Sequence, residues 1–238
     1  MPDLSFEVVG AEAPAFAAVP TLIFKLRVDN KDEGDRKGPH PSQHLPRPYG
    51  NETGRQERIH SVALRCQIQL AVTRRRYSAE AQARLLEVFG EPKRWGETLR
   101  SLLWTHASTM VPQFSESIIV DLPVPCTYDF EVVSTKYFNA LEEGDIPLNF
   151  LFSGTIFYEG EEGNLQVAQI SWSKEASFRL PVVLWQEMMQ RYYPNSAWIH
   201  LHKDVFDRLY QYKATQSFPT WEEVMVHLLQ ASGEEVRL

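Results

Sequence analysis

Cys126, His106 and Asp121 are the residues whose side chains have the right types for nucleophilic catalysis. A cysteine nucleophile needs a nearby base, or another group that stabilises its thiolate. The three residues are far apart in sequence and follow no known catalytic spacing, and Ser153 lies in LFSGT rather than in a G-x-S-x-G elbow. We therefore assign no catalytic residue, and an enzyme whose site is assembled from distant residues remains the alternative.

The sequence contains little evidence for a metal site or a phosphate-binding site. In the run IHLHKD, His200 and His202 would share one face of a strand and could bind a metal together with Asp204. This run leads directly into a predicted helix, however, and surface histidines explain it more simply. Neither G-x-x-x-x-G-K-[ST] nor a strand-linked G-x-G-x-x-G motif occurs, and the acidic EGEEG run would repel a phosphate. We expect neither a metal site nor a cofactor.

Five residues are candidates for binding a partner. Arg74, Arg75 and Arg76 are the densest positive charge and could meet carboxylates or a phosphate. Because the chain has 31 acidic residues, internal ion pairing is the interpretation that we favour for these arginines. Trp95 follows Arg94 in the short connection EPKRWGETLR, whereas most of the other tryptophans lie at inward positions of periodic segments. The sequence therefore predicts Trp95 as an exposed anchor.

The strands that position these residues are led by the run from Val62 to Val72. Its apolar residues alternate strictly with small or polar ones, which predicts a half-buried strand of an antiparallel sheet and places Cys66 in the core. Further strands are predicted at Phe6–Val9, Leu22–Val28, Ile118–Leu122, Tyr128–Val133, Leu148–Tyr158 and Leu165–Trp172.

Helices are predicted in two places. Ser78 is a candidate N-cap for a helix through Phe89, and a second helix is predicted over Trp95–His106. The last third has helical periodicity over Val182–Tyr192, around Val205–Tyr210, and after a capping box at Thr220. The core stripe of the last helix is predicted as Trp221, Val224, Met225, Leu228 and Leu229.

The fold class predicted from this order is α+β, with a mainly antiparallel β-sheet or sandwich, a helical insertion and C-terminal helices. We expect a single α+β domain over 1–238, with 182–238 as a helical region packed on the sheet. Residues 31–58 hold four prolines and four glycines with almost no large apolar side chains, which predicts a disordered loop.

Composition disfavours some classes of partner. The net charge of −7 and pI near 5.5 argue against binding nucleic acid or an anionic membrane surface. No secretory signal and no apolar run long enough to cross a bilayer are visible, so we expect a cytoplasmic protein without membrane insertion. Cys66 and Cys126 are expected as buried free thiols, although a disulfide between them is also possible.

The blocks RRRY (74–77), EPKRWGETLR (91–100), LLWT (102–105), DLPVPCTYDFEV (121–132), LFSGTIFY (151–158) and ISWSKEA (170–176) resemble those of an uncharacterised bacterial family encoded beside uptake [NiFe]-hydrogenase genes. The resemblance covers nearly the whole chain except 31–58. It implies no activity or catalytic residue. It does imply an accessory role in assembling, maturing or contacting a redox enzyme, with hydrogenase subunits or maturation factors as partners.

The function expected from the sequence is therefore that of a non-enzymatic accessory or binding protein. Good core patterning without a convergent polar site favours protein binding over catalysis. A small-ligand-binding β-sandwich is a further alternative, because such a fold can enclose an apolar pocket with a few polar groups.

Overall fold

Eight β-strands and seven α-helices make up the described part of the computed structural model, which covers residues 2–31, 57–129, 132–160, 162–196 and 198–233. In chain order the elements are β1 (Asp3–Glu12), β2 (Thr21–Lys31), β3 (Ile59–Leu70), α1 (Ala79–Arg84), α2 (Leu86–Phe89), α3 (Trp95–Thr98), β4 (Leu102–Val111), β5 (Ser117–Pro125), α4 (Val133–Asn139), β6 (Asp145–Glu159), β7 (Leu165–Gln169), β8 (Glu175–Pro181), α5 (Val182–Tyr192), α6 (Lys203–Thr215) and α7 (Trp221–Ala231).

The strands form two antiparallel sheets. The three-stranded sheet has the order β1-β2-β5, and the five-stranded sheet has the order β4-β3-β6-β7. Strand β6 is long enough to pair with two strands along its other edge, with β8 over Asp145–Leu151 and with β7 over Thr155–Glu159. Together with the helices, this confirms the predicted α+β class with mainly antiparallel strands.

The two sheets pack face to face through one apolar core. Phe6 of β1 stacks on Phe152 of β6 with ring centroids 4.4 Å apart. Phe24 of β2 makes edge-to-face contacts with Phe150 of β6 at 5.0 Å and with Phe178 of β8 at 6.0 Å. Such aromatic pairs add to the free energy gained by burying their area. The architecture is therefore a sandwich, as alternating inward and outward residues predict.

The helices α1 and α2 begin and end as the sequence predicts. Ser78 Oγ accepts a hydrogen bond from the Ala81 amide, which caps α1, and Gly90 ends α2 with a φ of 72°. Leu85 and Phe89 are buried in the core that the sheets share. The C-terminal boundary at a glycine follows because a positive φ there costs glycine little.

One predicted helix is wrong. Trp95 opens a helix that ends at Thr98, and the following residues form strand β4, paired with β3 in place of the helix expected through His106. A register shift between Ile68 and Gln69 of β3 gives β4 an extra residue at Trp104. This bulge interrupts the alternation on which strand recognition depends, and tertiary pairing with β3 decides the conformation.

Three other features differ from the predictions. Strand β3 ends at Leu70, and Val72 begins a short 3-10 turn. The predicted strand Tyr128–Val133 is wrong in its described residues, since Tyr128 and Asp129 are in no strand and Val133 begins helix α4. Strand β8 has no counterpart among the predictions. The predicted helix Val182–Tyr192 is confirmed as α5. Of the predicted loop 31–58, residues 32–56 lie outside the described residues.

The chain divides into two compact units. The first, Met1–Ala197, contains both sheets and α1 to α5. The second, Trp198–Leu238, contains α6 and α7, which contact each other through the rings of Phe206 and Trp221 at 5.5 Å. The single-domain organisation and the packing of 182–238 on the sheet stay predictions.

Candidate partner-binding surface

The outer face of the five-stranded sheet is the side that points away from the sandwich core. Strand register places its side chains in rows that run across the sheet. From β4 through β3 and β6, these rows are Met110–Ala63–Thr155, Ser108–Arg65–Ser153, His106–Gln67–Leu151 and Leu103–Gln69–Asn149. The first row continues to Gln169 of β7, and the last two continue to Glu175 and Ser177 of β8.

This outer face is mostly uncharged and partly apolar. Leu103 is 52% exposed, Met110 is 62% exposed and Val167 of β7 is 57% exposed. Among the described side chains of the rows given above, Arg65 and Glu175 are the formally charged ones. Few charges and exposed apolar side chains are typical of the centre of a protein interface.

The outer face of the three-stranded sheet is different in chemistry. Lys25 Nζ lies 2.9 Å from Glu12 and 2.8 Å from Asp121, and Arg27 pairs with Glu7 at 3.0 Å. The hydrogen bonds with Asp121 and Glu12 raise the pKa of Lys25. These cross-strand pairs satisfy their own charges in water, as expected for a solvated face.

Trp172 is the most exposed tryptophan in the described part of the chain, with 91% of its surface accessible. It lies in the turn between β7 and β8, at the edge of the five-stranded sheet. Two backbone hydrogen bonds, one on either side of Trp172, hold this turn against β6. The Ile170 amide donates to the Gly154 carbonyl at 3.0 Å, and the Phe152 amide donates to the Lys174 carbonyl at 2.9 Å. A large aromatic side chain is thus presented to solvent from a fixed backbone, whereas the sequence pattern placed it inward.

Trp95, the predicted anchor, is buried. Only 8% of it is exposed, its indole N–H donates to the Gly90 carbonyl at 2.9 Å, and its ring lies 5.8 Å from Phe89 and 5.3 Å from Tyr77. The connection folds back on the end of α2, which explains why charged neighbours in sequence do not imply exposure. The prediction of an exposed Trp95 is therefore wrong, whereas its neighbour Arg94 is exposed.

The arginines have separate surroundings. Arg74 Nη1 donates to Asn149 Oδ1 at 3.2 Å and to Ser177 Oγ at 3.3 Å, so its guanidinium lies on the outer face of the five-stranded sheet. Arg75 donates to the backbone carbonyls of Asp145 and Glu143. Both arginines therefore bind neutral oxygen atoms, and the favoured ion pairing with acidic side chains is wrong for them within the described residues.

Arg76 is exposed, and the next residue, Tyr77, contacts Trp95. The structure therefore brings the arginine segment close to the Trp95 connection, as a shared surface requires. It does not make the five predicted residues one exposed site, because Trp95 is in the core and the Arg75 guanidinium is occupied by carbonyl groups.

The thiols are structural. Cys66 and Cys126 are free and buried, and desolvation raises the pKa of each to about 12. Neutral thiols of this kind are poor nucleophiles at neutral pH. Asp121 faces outward from β5 towards Lys25 while Cys126 is buried, and His106 is exposed on the outer face of the other sheet. The three side chains considered for catalysis do not converge.

The described residues contain no group of three or more histidine, cysteine or acidic side chains placed to hold a metal ion. His202 Nδ1 lies 3.7 Å from Asp204 Oδ2, and both side chains are about 80% exposed. No helix in the described ranges is long and apolar enough to cross a membrane.

No curated protein and no solved structure matches this chain. A family model does match it over residues 50–237, which takes in β3 to β8 and all seven helices. That family is described as a family of unknown function (DUF6084). Because the match covers well over half of the sequence, the chain belongs to this family of unknown function.

Proposed function

We propose that this protein is a non-enzymatic accessory protein that binds a larger protein through the five-stranded sheet. The observation that carries the proposal is the 91% exposure of Trp172, an aromatic side chain fixed at the edge of that sheet. Tryptophan is enriched among the residues that contribute most to binding energy, and the exposure of Trp172 leaves its side chain accessible to a partner.

The neighbouring strands support this choice of surface. Val167 of β7 is exposed close to the Trp172 turn, and Leu103 and Met110 extend the apolar character to β4. The polar side chains between them are mainly Gln, Ser and Thr, which can donate and accept hydrogen bonds without the desolvation cost of a charge. A partner could therefore cover this face at a lower cost than it could cover the ion-paired face of the other sheet.

Strand β4 offers a second mode of contact on the same sheet. Among the described strands it pairs only with β3, so its other edge is an edge of the sheet. The strand spans ten residues, LLWTHASTMV, without Lys, Arg, Asp, Glu or Pro. These are residues by which proteins usually discourage edge pairing, and their lack favours addition of a partner strand.

The partner we propose is a subunit or maturation factor of an uptake [NiFe]-hydrogenase. This choice rests on a resemblance to a family encoded beside such genes, carried by the blocks 74–77, 91–100, 102–105, 121–132, 151–158 and 170–176. The net charge of −7 favours a protein over a nucleic acid as the partner.

The test is affinity purification of the tagged full-length protein from its native host, followed by identification of the proteins retained. We expect a larger protein to be retained by the wild type and lost with Trp172→Ala. The matched control is Phe16→Ala, which removes an aromatic side chain that is 98% exposed near the three-stranded sheet.

Both variants change exposed side chains and should leave the circular dichroism spectrum and the unfolding temperature unchanged. Equal retention of the partner by all three proteins would exclude the Trp172 surface. Recovery of no protein by the wild type would count against an accessory role, and recovery of a protein unrelated to hydrogenases would exclude the partner named above.

A further inference from the structure

Arg74 is held by neutral oxygen atoms on the outer face of the five-stranded sheet. Its Nη1 atom donates to Asn149 Oδ1 at 3.2 Å and to Ser177 Oγ at 3.3 Å. Ser177 Oγ also donates to Asn149 Oδ1 at 3.2 Å, so each acceptor helps to fix the other. The guanidinium of this exposed arginine is thus positioned without its charge being neutralised.

The edge of this guanidinium that suits a carboxylate has no partner among the described residues. Arginine binds a carboxylate most strongly through two parallel N–H···O bonds. Nη1 is used by Asn149 and Ser177, whereas Nε and Nη2 of Arg74 form no hydrogen bond within the described ranges. These two nitrogens lie on one edge of a rigid planar group and donate in the same direction. Arg74 therefore presents a preorganised pair of donors.

A second arginine lies beside this pair of donors. Arg179 and Ser177 are two residues apart in β8, so they project from the same face with Cα atoms about 7 Å apart. Arg179 is exposed and is paired with Pro147 of β6, in the row next to that of Asn149. Because Arg74 contacts Ser177, the two arginines form one positively charged patch.

The described residues do not neutralise this patch. Glu175 and Asp145 occupy neighbouring positions of the same face, but no ion pair joins either of them to Arg74 or Arg179. On the outer face of the three-stranded sheet, by contrast, the cations are paired with acidic residues. In a chain of net charge −7, two adjacent unpaired arginines are a local excess of positive charge that attracts an anionic group.

We propose that Arg74 and Arg179 form a carboxylate-binding site, which receives an acidic segment of the partner protein. The proposal rests on the proposed function, in which this face of the sheet binds a protein, and it adds that the bound segment is acidic. A planar carboxylate matches the Nε–Nη2 edge of Arg74, and a second acidic residue of the segment meets Arg179. Both arginines, with Asn149 and Ser177, belong to the compact unit Met1–Ala197.

The experiment records the arginine Nε–H signals of the full-length protein by NMR during titration with hexaglutamate. The Arg74 signal is identified as the one that is lost in Arg74→Lys. We expect this signal to move downfield as the peptide is added, because the Nε–H then donates to a carboxylate, and we expect added salt to weaken the binding.

The variants separate paired hydrogen bonding from charge alone. Arg74→Lys keeps the charge but loses the paired donors, so it should weaken hexaglutamate binding about fivefold, and Arg179→Gln should weaken it about threefold. Arg76→Gln is the matched control, since it removes an exposed charge two residues from Arg74 and should change the affinity by less than about twofold. An Arg74 signal that does not move would overturn the site. Equal losses for Arg74→Lys and Arg76→Gln, or a response to inorganic phosphate but not to hexaglutamate, would do the same.

Affinity purification from the native host distinguishes this site from the proposed function. Arg74→Lys should lose most of the protein that the wild type retains, whereas Arg76→Gln should retain it. Equal retention by the wild type and Arg74→Lys would overturn the carboxylate site and leave the accessory role standing. Hexaglutamate bound at Arg74, with no protein retained by the wild type, would support the site and count against the accessory role.

Discussion

Gly154 is the position where a single methyl group should damage the fold most visibly. It lies in β6 opposite Leu64 of β3 and has a φ of 140°, which side chains rarely tolerate. A Cβ atom built on it would lie 2.1 Å from the Ala63 carbonyl oxygen and 3.1 Å from the Ala63 carbonyl carbon. The atoms it meets belong to the backbone, so no side-chain rotation can relieve the contact.

The destabilisation expected for Gly154→Ala has two parts. The backbone conformation alone costs about 1–3 kcal/mol for a residue with a side chain. Relief of the clash requires β6 to move away from β3 by about 1 Å, which weakens one or two cross-strand hydrogen bonds at about 1 kcal/mol each. We therefore expect a loss of about 3 kcal/mol in the free energy of unfolding, or a fall of about 6–12 °C in Tm.

The assay is thermal unfolding followed by far-UV circular dichroism, with Gly10→Ala as the matched control. Gly10 is also in a strand, but its φ is not positive and the nearest atom to an added Cβ is Lys25 Cγ at 4.0 Å. The control should stay within about 0.5 kcal/mol of the wild type. A wild-type Tm for Gly154→Ala, or equal losses for both variants, would refute the reasoning.

Three further outcomes follow from the structure. Burial raises the pKa of Cys66 and Cys126 to about 12, so the contribution of these thiols to the free energy of unfolding should be constant below pH 8 and fall above pH 9, by up to about 1.4 kcal/mol per pH unit for each thiol, because only the unfolded chain then loses the protons. Urea titrations at several pH values measure the slope for the wild type, and the Cys→Ala variants should reduce it. Arg75→Ala should lower the free energy of unfolding by about 1.5–3 kcal/mol, because the Arg75 guanidinium donates hydrogen bonds to two carbonyl groups. Arg76→Ala, at the exposed neighbouring position, should change it by less than about 0.5 kcal/mol, and equal losses for the two variants in urea unfolding would contradict this prediction. Trp95→Phe should cost about 1–3 kcal/mol through loss of the buried indole hydrogen bond, and an unchanged Tm would show that this bond is not needed.

The fold could be predicted where local pattern and tertiary environment agree. Strand β3 has one buried face and one open face, so its alternation is uninterrupted, and α5 has helical spacing over its whole length. Strand β4 could not be recognised in the same way, because the bulge at Trp104 shifts the inward positions by one residue. A stretch of sequence that includes a bulge contains two runs of alternating apolar and polar residues that are out of phase with each other. Neither run is long enough to distinguish a strand from a helix.

The candidate surface was harder to predict than the fold. The outer face of the five-stranded sheet combines residues from β3, β4, β6, β7 and β8, and their adjacency depends on strand order. Trp95 and Trp172 show the same difficulty for single residues. Each of them has polar neighbours in the chain. The Trp95 ring nevertheless folds back onto its own connection and is 8% exposed, whereas the Trp172 ring extends from a turn and is 91% exposed.

The two buried thiols can report the rate of local opening of each sheet separately. Cys66 lies in the middle of β3 in the five-stranded sheet, and Cys126 directly follows β5 of the three-stranded sheet. A thiol-specific reagent can modify each of them only after the surrounding structure opens. Labelling rates of the native protein, resolved by peptide mass, would therefore give an opening free energy for each layer of the sandwich without any added probe. Unequal rates would reveal which layer detaches first.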